Sequence, residues 1–179
     1  MASSTTTGMQ SGQIIEIFNS RKTIIDLLEA QKYDVSQYKD FGINEVNTLI
    51  QTKQMDMLLK KTAGDKSAYV KYHLAKSLRP VNLYEYIEDL FTLEEVLTKK
   101  DDLIVIMKDE PNDTIKKTLT DIWEKDGIFV IVINFALDHK QAAWPAIVEK
   151  EVAIINFGKV FNFNSDTSRL EWGHGQVWV

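Results

Sequence analysis

The chain is 179 residues long, a length that fits one domain with at most a small appendage. Its 44% hydrophobic content and four Trp supply a buried core, while a net charge of −5 argues against a protein whose main work is gripping nucleic acid electrostatically. The absence of Cys excludes disulfides, thiolate zinc sites and Cys nucleophiles, and no apolar run approaches the length of a membrane span.

In chain order, Met1 to Gly8 has no basic residue followed by an apolar stretch, so it is not a secretory signal, and residues 1–12 read as a disordered leader. Ser11 can cap a helix starting near Gln13 and running to about Gln31. Ile14, Ile17, Phe18, Ile25 and Leu28 form its apolar series, and Glu16, Arg21, Lys22 and Glu29 fall mainly between them. Phe41, Val46, Leu49 and Ile50 predict a second short helix after a loop around Ser36. Met55 to Leu59 and Ala68 to Leu74 read as a β-hairpin with Gly64 in its turn. Arg79-Pro80 opens a third helix, lined by Leu83, Ile87, Leu90, Phe91 and Leu97 and reaching Lys99.

Leu103 to Met107 is apolar on successive residues, as a strand covered on both faces requires. A loop from Lys108 leads to a capping residue, Asn112 or Asp113, and a fourth helix marked by Ile115, Leu119, Ile122 and Trp123. Gly127 ends that helix, and Ile128 to Ile133 is a second buried run, so the two strands should be parallel. Val152 to Ile155 reads as a last core strand. The elements predict an α/β fold, a small mixed sheet flanked by helices, over residues 13–157, with a tail at 158–179.

The chemistry-bearing residues are few. His73, His139 and His174 are far apart and have no spaced metal partner; a packed or surface role is the simpler reading for His73 and a surface one for His139, while His174 in Trp172-Gly173-His174-Gly175 leaves a nickel or zinc ligand open. The eight Gly are scattered, so no phosphate-cradling loop exists. One pattern points to metal-dependent nucleases of the restriction-endonuclease class. Those enzymes carry an Asp at one strand start and an acid-x-Lys triplet on the next strand; the carboxylates hold Mg²⁺ and the Lys positions water. Asp56 and Lys71 occupy two of these places, but Tyr69 stands where the second acid belongs, and a neutral phenol is a poor Mg²⁺ ligand. Lys116 and Lys117 lie in the first turns of a helix after a strand, where free N–H groups already favour anions.

Several strings in this order resemble the N-terminal jaw domain of the fifth subunit of eukaryotic-type DNA-directed RNA polymerases. Arg21-Lys22-Thr23-Ile24-Ile25 through Tyr33-Asp34-Val35-Ser36-Gln37 is similar to that family's opening helix. Asp56-Met57-Leu58-Leu59 and Ala68-Tyr69-Val70-Lys71-Tyr72 look like its first two strands. Leu103 to Ile106, a Pro-containing loop and a Lys-bearing helix look like its central step, and Val152 to Asn156 like its Asn-ending strand. The likeness spans roughly Gln13 to Asn156 and rests on the order and spacing of the pieces. It implies a restriction-endonuclease-like jaw that lacks the nuclease acids, in agreement with Tyr69.

The resemblance further implies a non-catalytic structural subunit that acts in transcription beside downstream DNA, needs no cofactor or metal, and touches chiefly the largest polymerase subunit. It implies a nuclear location, or a virion or cytoplasmic factory for a viral form. Lys108, Pro111, Asn112, Lys116 and Lys117 are the residues expected near DNA, Pro111 being one position from the family's loop Pro. The family continues into a His-Glu-Leu-Val-Pro-like stretch and a C-terminal anchoring domain. Here Phe157-Gly158-Lys159-Val160-Phe161-Asn162-Phe163 and a Trp-rich ending stand instead. Phe161, Phe163, Trp172 and Trp178 are therefore candidates for docking on a partner, with edge strands expected at Val160–Phe163 and Gln176–Val179. Two other readings stay open: a metal-dependent nuclease, degenerate or active, and a stand-alone interaction module.

Overall fold

The computed structural model describes residues 11–75, 77–109, 111–134, 161–164 and 169–172. Helix α1 (Ser11–Ala30) and helix α2 (Ile43–Gln51) precede a hairpin of β1 (Met57–Lys60) and β2 (Ser67–His73). Helix α3 (Pro80–Ile87) runs directly into a π-helical segment, Glu88–Leu93. Strand β3 (Asp102–Met107), helix α4 (Asp113–Asp126) and strand β4 (Phe129–Asn134) complete the described main body. The strands form one mixed sheet in the order β1-β2-β3-β4, with β1 antiparallel to β2 and the other pairs parallel. This is a small α/β architecture.

Local sequence chemistry sets the boundaries. Gly64 turns the hairpin at φ +90 and Gly127 ends α4 at φ +66, in the left-handed region where a Cβ is penalised. The Asn112 side chain accepts from the Ile115 N–H at 2.9 Å and caps α4. Pro80 sits in the first turn of α3, where its missing N–H costs nothing. Strands β3 and β4 pair in register, Val105 opposite Val132, and nearly every residue in them is buried, as their continuous apolar runs anticipate. Among the described residues no helix is long and apolar enough to cross a membrane.

Three expectations need correction. Arg21 does not fall between the apolar residues of α1 but lies in one stripe with Ile17, Ile24 and Leu28, 3% exposed. It is tolerated there because Nη1 donates to the Tyr38 carbonyl at 2.9 Å and the guanidinium lies 5.0 Å from the centre of the Phe41 ring. Burial without a carboxylate partner among the described residues lowers its pKa. The third helix stops at Leu93 rather than Lys99. Leu97 is buried from beyond its end, because the chain folds back and the Leu90 carbonyl accepts from the N–H groups of both Val96 and Leu97. Phe161–Asn164 (β5) does not extend the main sheet; it pairs antiparallel with Arg169–Trp172 (β6) in a separate two-stranded ribbon. The expected strands at 152–155 and 176–179 lie outside the described residues, as does the leader apart from Ser11 and Gly12.

Candidate functional site

The hairpin brings Asp56, Tyr69 and Lys71 together. Asp56 immediately precedes β1, and antiparallel pairing of Met57 with Val70 sets it level with Lys71 and Tyr72 at the C-terminal end of β2. One carboxylate oxygen, Oδ1, accepts from the Tyr72 backbone N–H at 3.0 Å. The other, Oδ2, accepts from Lys71 Nζ at 2.9 Å and from the Tyr69 hydroxyl at 3.1 Å. The side chains of Asp56 and Lys71 are 25% and 30% exposed, so the pair is partly shielded from water. Alternation along β2 explains the grouping: residues 69 and 71 share one face of the strand.

Helix α3 adds a residue that the sequence did not single out. Lys71 Nζ lies 5.0 Å from the centre of the Tyr86 ring, and the Tyr86 hydroxyl is 2.6 Å from His73 Nδ1. A carbonyl can only accept, so His73 Nε2 donates to Ser77 O at 3.0 Å, leaving Nδ1 to accept from Tyr86. His73 is thus a packed histidine with both nitrogens engaged. Tyr86 carried no local signal, because only the packing of α3 against β2 makes it a neighbour of this corner.

The electrostatics keep both phenols protonated. Burial pushes the Tyr69 hydroxyl well above its ordinary value, and the Asp56 carboxylate pushes it further. Tyr86 is raised by burial and then by the charges of Asp56 and Glu85. Tyr69 therefore remains a hydrogen-bond donor to Asp56 at neutral pH and does not supply an anionic oxygen to a metal. Among the described residues no three His, Cys, Asp or Glu side chains converge on a point that could hold a metal ion.

The loop expected near DNA leaves the same sheet edge, since Lys108 follows Met107, the register partner of His73. Lys108, Asn112 and Lys117 are exposed and Lys116 is half-buried. Pro111 is buried, so it shapes the loop from inside. Exposed Asp109 and Asp113 lie among these bases, and the Asn112 carbonyl oxygen of the side chain is committed to capping α4. Of the docking candidates, Phe161 pairs with Trp172 and Phe163 with Leu170 in the β5-β6 ribbon, while Trp178, His139 and His174 lie outside the described residues. No protein-family model matches this sequence, and no curated protein matches it.

Proposed function

We propose that this chain is a non-catalytic subunit of a multisubunit DNA-directed RNA polymerase, with a restriction-endonuclease-like jaw over residues 13–157. The observation that carries the reading is the Tyr69 phenol on Asp56. A carboxylate at the start of one strand and a lysine on the next meet at the sheet edge, as the nuclease class would require, yet the place of the second acid donates a proton where a metal needs an anion. Asp56 has three donors on it, so it serves as a structural acceptor that ties the hairpin together. A nuclease-type sheet without its acids is what the resemblance to the polymerase jaw implies. In that assembly Lys108, Lys116 and Lys117, with the N–H groups at the start of α4, face the downstream duplex. The neighbouring Asp109 and Asp113 make the contact weak and blind to sequence. The tail from 158, with Phe161, Phe163, Trp172 and Trp178, docks on a neighbouring subunit, chiefly the largest.

Affinity purification of the chain from its native source tests this: the large polymerase subunits should copurify in salt that strips loosely bound protein. Recovery of the chain free of any polymerase subunit would sink the proposal. One observation favours a second reading, a divalent-metal nuclease, namely the retained contact of Asp56 with Lys71. DNA cleavage with Mg²⁺ or Mn²⁺ that disappears in both Asp56→Ala and Lys71→Ala would establish it instead.

A further inference from the structure

Beside the π-helical segment lies a groove of about 740 Å³, between α3 and the end of α4. Its apolar lining is Tyr84, Ile87 and Phe91 on the helical side, over the buried Leu97 of the chain that folds back and the buried Ile128 that follows α4. A π turn holds more residues than an α turn, so Leu90 goes into the core while Phe91, next in sequence, stays half-buried in the groove wall. Tyr84, in the groove wall, is 46% exposed. Scattered apolar groups are ordinary on a protein surface, but Tyr84 stands with Ile87 and Phe91 in one concavity.

The rim is acidic. Among the described residues that line the opening, Glu88, Glu95 and Asp126 stand against one base, Lys99. From Val81 to Leu97 the sequence holds Glu85, Glu88, Asp89, Glu94 and Glu95 and no Lys or Arg. Helix α4 ends at Asp126, so the negative end of its dipole adds to the same field. Phosphate-bearing partners, whether nucleic acid or lipid headgroups, are repelled by such a rim. A protein segment with apolar side chains and flanking Lys or Arg satisfies both the floor and the rim.

We infer that this groove docks a basic amphipathic segment of a partner protein, with two or three apolar side chains on Tyr84, Ile87 and Phe91 and its Lys or Arg residues on Glu88, Glu95 and Asp126. The inference stands apart from the polymerase reading: it needs neither DNA nor the Asp56 corner.

The probe is a synthetic amphipathic helix of Leu and Lys, labelled with a fluorophore and titrated with the full chain. A peptide of the same apolar pattern with Glu for Lys serves as control. Saturable binding of the basic peptide alone is expected, with hydrogen-exchange protection confined to residues 84–99 and 126–128. The exposed pair Glu88→Lys and Glu95→Lys should weaken it by about tenfold or more while leaving thermal unfolding unchanged. Four results would each overturn the inference: no binding of the basic peptide, equal binding of the acidic one, undiminished affinity of the charge-reversed chain, or protection elsewhere. So would sedimentation showing that the groove is buried between two copies of the chain.

Discussion

Replacing Asp56 with Ala tests whether that carboxylate is a structural tie. It removes the acceptor for the Tyr72 N–H, the Tyr69 hydroxyl and Lys71 Nζ at once. A hydrogen bond to a charged group contributes about 1.5–3 kcal/mol when well shielded. Asp56 and Lys71 are a quarter to a third exposed, so water takes over part of each interaction and about 1 kcal/mol per donor is the appropriate figure. The expected loss is about 3 kcal/mol, which for a chain of this size lowers the melting temperature by roughly 6–12 °C. Tyr69→Phe removes one donor and should cost about 1 kcal/mol. The double variant should lose less than the sum, because both changes break the same bond. Thermal and urea denaturation followed by circular dichroism, with and without Mg²⁺, supplies the measurement. A melting temperature indifferent to Asp56→Ala would refute the structural role. A rise in the wild-type melting temperature with Mg²⁺, absent in Asp56→Ala, would return the carboxylate to metal binding.

Other expectations follow from the same geometry. Val105 has no exposed surface and lies between Lys71 and Val132 in the register, so Val105→Asp should cost on the order of 5 kcal/mol and abolish cooperative unfolding. Tyr72 is buried and its hydroxyl makes no hydrogen bond of good geometry among the described residues; the Ser20 hydroxyl beside it donates to the Ile17 carbonyl at 2.8 Å. Tyr72→Phe should therefore raise stability at neutral pH by about 1 kcal/mol in urea titrations. Burial raises the pKa of Tyr69, Tyr72 and Tyr86, so the stability tied to their protonated forms is complete below the ordinary tyrosine value of about 10 and is lost as the pH climbs past it. Tyrosinate absorbance should rise together with loss of circular dichroism in alkali, and Tyr72→Phe should shift that transition to higher pH. Arg21→Met keeps the stem's packing without a desolvated charge and should unfold within about 1 kcal/mol of wild type, whereas Arg21→Ala should lose about 2 kcal/mol or more. In an assembled polymerase, charge reversal at Lys108, Lys116 and Lys117 should weaken downstream-DNA crosslinking without disturbing assembly; crosslinking unchanged by the reversal, with strong crosslinking from the opposite edge of the sheet, would mean that the domain is turned the other way round.

Much of this protein is written in short-range patterns. The apolar runs at 103–107 and 128–133 announced two neighbouring parallel strands, because only a strand covered on both faces can be apolar at successive positions. Gly64, Pro80, Asn112 and Gly127 marked a turn, a helix start, a cap and a helix end through their own backbone chemistry. Asp56, Tyr69 and Lys71 could be grouped from spacing alone, since hairpin pairing follows from the strand period. The tertiary structure decided what spacing does not encode. Arg21 lies in the apolar stripe of α1 because Tyr38 and Phe41, from a following loop, cover its charge. Tyr86 joins Lys71 and His73 only because α3 packs on β2, and the groove exists because a π turn and a chain reversal place Phe91 and Leu97 on one wall. Propensity acts over a few residues, whereas these contacts join segments far apart in the chain, and their energy is known only once the fold has brought them together.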